Sequence, residues 1–225
     1  MKKQLIRQAF TDTVPVMTGY LVLGAGFGVL LKTAGYSLWW ALAMSVFIYA
    51  GSMQFLAVNL LTGGASLLTV ALTTLTVNAR HLFYGISMVE RYRGIGRTKP
   101  YLIFTLTDET YSLVCRDGEK PKLYYFLVSL MDHAYWVTGS VLGAVIGDFI
   151  PFSTEGIDFA LTALFITVFT EQWLASRQHL SAIIGAVSSV VCLLIFGRDR
   201  FLIPAMVLIA TLLLGMRRFR EAMAR

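Results

Sequence analysis

The chain has 225 residues, of which 56% are hydrophobic and only 14% charged, with a mean hydropathy of +0.68. Soluble domains carry about 25% charged residues, so this composition excludes an ordinary water-soluble globule and points to a membrane protein. The formal net charge of +6 does not indicate nucleic-acid binding, because the basic residues stand at the edges of apolar segments instead of forming a patch.

Lys2, Lys3 and Arg7 precede the first apolar run, and Arg217, Arg218, Arg220 and Arg225 follow the last. Basic flanks are held on the cytoplasmic side, which predicts that both termini are cytoplasmic. The first residues resemble a signal-peptide n-region. However, Asp12 follows, the apolar run continues past Gly28, and no A-x-A-like cleavage site appears, so the N-terminus is expected to be retained.

Apolar segments fall at 14–31, 38–61, 66–89, 101–115, 124–147, 157–175, 180–196 and 201–216. A span needs about 20 apolar residues. The expected fold is therefore an all-α, polytopic membrane bundle of about seven to eight hydrophobic segments, some broken or re-entrant. No polar linker or soluble domain interrupts it, so 1–225 reads as a single integral membrane domain. Two stretches suggest an internal repeat of 1–116 and 123–225. Val22 to Gly28 aligns with Val141 to Gly147, and Phe47 to Ala57 aligns with Phe165 to Ala175, which matches Gln54 with Gln172. Internal repeats are common in secondary transporters.

Repeat and charge disagree about topology. Two four-span repeats put the basic loop holding Arg91, Arg93, Arg97 and Lys99 outside, whereas the charge rule wants it inside. A broken or re-entrant segment resolves this. The candidates are 38–61, interrupted by Ala50-Gly51-Ser52, and the short 101–115, which carries two carboxylates.

Polar clusters inside the apolar stretches are the candidate site, since a charged or amide side chain at bilayer depth costs several kcal/mol, roughly 2.5–3.5 on insertion scales. Gly51 and Ser52 could unwind a helix beside Gln54 and expose backbone groups to a zwitterion; alternatively, Gln54 is an interhelical hydrogen-bonder. Asn78, Arg80 and His81 follow. The planar Arg80 fork suits a substrate carboxylate or a neighbouring Asp108 or Glu109, and His81 could exchange a proton. A purely structural ion pair is the alternative. Asp108 and Glu109, adjacent on a helix, could meet an ammonium or carry the coupling proton; alternatively, they are solvated acids at a helix end. Glu171 and Gln172 occupy the repeat position of Met53 and Gln54. Asp132-His133 reads as the start of a span at the interface.

Gly24, Gly26 and Gly28 lack the strand and the downstream acid of a dinucleotide loop, so close helix packing is expected there. Gly139, Gly143 and Gly147 repeat the spacing and are a possible contact face for a second membrane protein. Cys115 and Cys192 are far apart, and the three His residues are scattered, which predicts no metal site. Nucleotide-loop and serine-hydrolase motifs are also missing, and no cofactor is expected.

The stretches Ala9 to Pro15, Gly19-Tyr20, Ile48 to Phe55, Thr76 to Gly85 and Thr107-Asp108-Glu109 resemble the AzlC family, the large subunits of bacterial branched-chain amino acid exporters. Ala50 to Phe55 and Asn78 to His81 are the most specific parts. The resemblance implies export of Leu, Ile, Val and also Met, driven by the proton gradient, and a small AzlD-like partner subunit in the inner membrane. Two other classes remain open at this stage. One is an intramembrane enzyme pairing His81 with Asp108 as acid and base, which needs the two in hydrogen-bond reach. The other is a scaffold subunit whose polar clusters face another chain.

Overall fold

The computed structural model describes residues 2–115, 118, 120–149 and 179–197, with shorter stretches between 166 and 216. The chain divides into two compact units, Met1–Leu161 and Thr162–Arg225. Every element among the described residues is a helix.

The first helix, α1 (Lys2–Thr33), begins well before the apolar run at 14 and carries Pro15 inside it. Its buried residues Thr13, Tyr20, Gly24, Phe27 and Leu31 recur at spacings of three, four and seven, which places them on one stripe. That stripe lies along α7 (Lys122–Gly147), whose buried Val128, Asp132, Trp136, Gly139 and Gly143 follow the same spacing. Small residues let the two backbones meet. A methyl at Gly28 would fall on the Ser140 carbonyl oxygen, and one at Gly143 on the Ala25 carbonyl oxygen. The glycine row 139/143 is therefore filled by α1 of this same chain, which corrects its assignment to a partner face. In lipid no hydrophobic force drives helices together, so this close packing and the hydrogen bonds across it hold the pair.

Two segments are broken. The helix α2 (Leu38–Phe47) stops and α3 (Gly51–Thr62) restarts after Ile48, Tyr49 and Ala50. Tyr49 has φ +44°, a left-handed conformation uncommon for a bulky residue. The second break separates α5 (Lys99–Phe104) from α6 (Asp108–Val114). Thr107 caps α6 by accepting from the Thr110 backbone N–H at 3.4 Å, and the two acids of its first turn suit the positive end of a helix. Between the breaks runs α4 (Leu67–Met88), capped by Ser66. In the second unit, α8 spans Leu180–Phe196.

The first unit buries polar side chains and exposes apolar ones. Ser45, Gln54, Thr105, Thr110, Ser129 and Asp132 are fully buried, while Leu67, Phe47, Trp39 and Phe149 are 71–89% exposed. This suits lipid as the surrounding solvent. By length and composition, one helix among the described residues, α1, is long and apolar enough to cross a membrane.

Asp132 lies ten residues inside α7, fully buried, not at the start of a span. The helix begins at Lys122, with Pro121 at its N-cap. Glu171 and Gln172, and most of the 165–175 stretch aligned with 47–57, lie outside the described residues.

Candidate functional site

The two breaks converge on α7. The Tyr49 ring lies 4.4 Å from the His133 ring and 6.2 Å from Phe104, between centroids, and Phe104 is 5.9 Å from His133. The Nε2 of His133 is 3.2 Å from the Ser45 carbonyl oxygen at the end of α2, and its Nδ1 is 3.1 Å from the Tyr101 hydroxyl of α5. One imidazole thus ties both interrupted segments to the long helix.

On one side of this junction stands an ion pair. Arg80 on α4 meets Asp108 Oδ2 at 2.9 Å and donates to Ser52 Oγ at 3.0 Å. Asp108 comes forward because the break at 105–107 opens α6 there, and Ser52 because α3 restarts at Gly51. The Arg80 Nε, Asp108 Oδ1 and Asn78 Oδ1 are buried and have no hydrogen-bond partner among the described residues. The pair itself therefore keeps one free donor, Arg80 Nε, and one free acceptor, Asp108 Oδ1. Since buried polar groups are nearly always paired, these orphans mark a place for a polar ligand.

Next to it lies a hydroxyl network. Tyr20 on α1 donates to Glu109 Oε2 at 2.7 Å and lies 2.7 Å from Thr107 Oγ1. Thr110 donates to Asp132 Oδ2 at 2.9 Å. A third group surrounds Gln54, which donates to Ser45 Oγ at 3.3 Å and accepts from Trp136 Nε1 at 2.9 Å. Gly51 packs on the Trp136 ring.

The predicted residues therefore fall into adjoining groups. Ser52, Arg80 and Asp108 are in direct contact. Glu109 turns to Tyr20, and Gln54 with Gly51 turns to Trp136; the Tyr20 and Trp136 rings are 5.3 Å apart, which joins these groups. His81 is half-buried, 5.9 Å from the Tyr84 ring, and no hydrogen bond among the described residues joins it to Asp108. Sequence reasoning missed Tyr20, Tyr49, Thr110 and Trp136, and undervalued Asp132. Thr107 and Thr110 belong to the cluster around Asp108, but a hydroxyl in an apolar run carries little signal. No group of ligands able to hold a metal occurs among the described residues.

Residues 15–150, which hold this whole constellation, match the family model described as AzlC protein. The chain belongs to the AzlC family. It is 43% identical over 216 residues to the branched-chain amino acid transport protein AzlC of Bacillus subtilis (strain 168), covering 94% of this chain and 85% of that one. An uncharacterized membrane protein of Helicobacter pylori (strain ATCC 700392 / 26695) is 41% identical over 219 residues, 96% of each chain. The inner membrane protein YgaZ of Escherichia coli (strain K12) is 28% identical over 192 residues, 80% of this chain and 78% of that one. No solved structure matches. As an AzlC-family member the chain is an all-α membrane protein, in agreement with its exposed apolar surface and its wholly helical described residues.

Proposed function

We propose that this AzlC-family chain is the large subunit of a permease that exports branched-chain amino acids, Leu, Ile and Val, and also Met. It works in the bacterial inner membrane with both termini cytoplasmic, beside a small AzlD-like membrane subunit, and is not an enzyme. Substrate leaves by antiport against entering protons. The reading draws on the transport named for the Bacillus subtilis relative and on one observation: the Arg80–Asp108 pair keeps an unused N–H on Arg80 and an unused oxygen on Asp108.

A zwitterion is the complement of that pair. Its carboxylate takes the Arg80 guanidinium, which presents five N–H donors in a planar fork. Its ammonium takes Asp108 Oδ1, the free oxygen of the pair. Substrate then replaces an ion pair with two of the same charge type, so no unpaired charge is left buried when it departs, a state that would cost several kcal/mol. The discontinuous helices meeting at His133 resemble the arrangement by which transporters present half-helix ends to substrates.

The test is efflux of labelled leucine from proteoliposomes holding this chain with and without the small subunit, under an imposed pH gradient. Gradient-dependent efflux, lost in Arg80→Ala and Asp108→Ala, supports the reading. Equal leucine flux in empty vesicles and in vesicles holding both subunits overturns it.

A further inference from the structure

The oxygens of Glu109, Tyr20, Thr107, Thr110 and Asp132 form one unbroken line. The successive separations are 2.7 Å from Glu109 Oε2 to Tyr20 Oη, 2.7 Å to Thr107 Oγ1, 3.2 Å to Thr110 Oγ1 and 2.9 Å to Asp132 Oδ2. A carboxylate stands at each end and three hydroxyls lie between. Tyr20 is 4% exposed, Thr107 7%, and Thr110 and Asp132 0%, while Glu109 is half-buried, so bulk water does not complete the line between Tyr20 and Asp132.

Proton counting gives this line a charge. Four O···O links need four protons, and each hydroxyl brings one, which makes three. If both carboxyls are ionised, Tyr20 donates to Glu109 and Thr110 donates to Asp132. Thr107 can then fill only one of the two remaining links. The other is left as two oxygens facing each other through lone pairs, one of those contacts being only 2.7 Å long. One proton on either carboxyl fills every link.

We infer that Glu109 and Asp132 hold a single proton between them and pass it along Tyr20, Thr107 and Thr110. With the proton on Glu109, each group donates towards Asp132. For transfer, the Glu109 proton moves to Tyr20 Oη, the Tyr20 proton to Thr107, the Thr107 proton to Thr110 and the Thr110 proton to Asp132 Oδ2. Four O–H bonds break and four form, no net charge is created, and the line then points the other way. The charged and titratable groups facing it are Arg80 and Asp108 beside Glu109, and Tyr49, whose hydroxyl lies next to Tyr20 and Thr110 and towards Asp132. His133, next to Asp132, makes its bonds to Ser45 and Tyr101 instead. The wire joins α6, which carries Asp108 of the candidate substrate site, to α7. The inference deepens the proton-coupled reading above and rests on it only for its role, not for the shared proton itself.

The test is infrared spectroscopy of the full-length protein in lipid nanodiscs at neutral pH, following the C=O stretch of protonated carboxyl groups and its shift in D2O. Wild type should show the signal of one buried protonated carboxyl. Glu109→Gln and Asp132→Asn each place an amide N–H donor at one end, which fills the fourth link without the extra proton. Each single variant should therefore abolish the whole signal. Two independent carboxyls would behave otherwise, each variant removing at most its own share, and that result overturns the inference. So does a wild-type spectrum with no protonated buried carboxyl, which needs no variant to fold. Thr110→Val, close in size, keeps both acids and cuts the line, so the signal should move and its titration should broaden into two steps; an unchanged titration counts against a shared proton. Efflux separates the two ideas. A shared proton together with efflux indifferent to the pH gradient leaves this inference standing and removes proton coupling.

Discussion

The Trp136 indole on α7 donates to the Gln54 side-chain oxygen on α3 at 2.9 Å, inside a region where Gln54 is wholly buried. The amide nitrogen of Gln54 is used on Ser45 of α2, so this one side chain bridges the two halves of an interrupted helix and fastens both to α7. Trp136→Phe keeps an aromatic ring but leaves the Gln54 oxygen without a donor. The expected loss is about 1–3 kcal/mol, the cost of an unsatisfied buried group, read as a lower thermal unfolding midpoint in detergent. The double variant Trp136→Phe with Gln54→Leu removes both partners and should lose less than the sum of the two single variants.

The approach of α1 to α7 gives a prediction with an internal control. Gly28→Ala and Gly143→Ala each put a methyl onto backbone of the facing helix. Overpacking of this kind typically costs about 1–3 kcal/mol, and backbone cannot rotate away as a side chain can. Gly26→Ala, on the same helix, meets only the Phe55 ring at 3.9 Å. It should leave the unfolding midpoint unchanged while the other two lower it.

Charge geometry at the candidate site can be separated from charge itself. Arg80→Lys retains the positive charge but loses the planar fork. Asp108→Asn retains shape but loses the anion. Hydrogen bonds to charged groups contribute about 1.5–3 kcal/mol, so each variant should raise the half-saturating leucine concentration by roughly ten- to a hundredfold. Matched expression and a normal elution profile confirm insertion. Wild-type kinetics in both variants would make the pair a structural tie between α4 and α6.

The ion pair between Lys32 and Asp148, at 2.6 Å, has the two side chains 28% and 51% exposed. Exposed pairs contribute about 0–1 kcal/mol. Lys32→Met keeps the stem that packs on Gly147 and drops the charge. Its midpoint should stay close to that of wild type, which distinguishes it from Trp136→Phe.

Apolar runs made the helical membrane class legible from the sequence, because only a lipid-facing chain tolerates so few charges. Ala50-Gly51-Ser52 marked one break, since Gly and Ser hold a helix weakly, and the acids of 101–115 marked the other. Arg80 and Asp108 stood out because isolated charges are costly in lipid. Asp132 was read with the adjacent His133 as the polar start of a span, whereas α7 had already run nearly three turns by then. Tyr20 and Tyr49 stood in stretches that carry the resemblance, but nothing local gave them or Thr110 a role. Their importance comes from three separate elements meeting, and residue spacing within one element cannot encode that.

The short lengths of α2, α3, α5 and α6, between six and twelve residues, bear on the order in which the chain is made. None is long enough to cross about 30 Å of hydrocarbon alone, and all four leave the ribosome before α7. The groups that receive them, His133, Trp136 and Asp132, are therefore the last of the set to be synthesised. Until α7 arrives, the Gln54 oxygen has no donor, Thr110 has no carboxylate to donate to, and the glycine face of α1 has no counterpart. Chains ending before residue 122 should accordingly be cleared by membrane quality-control proteases, while chains ending just after Gly147 should persist, which pulse-chase labelling of the two truncations would show.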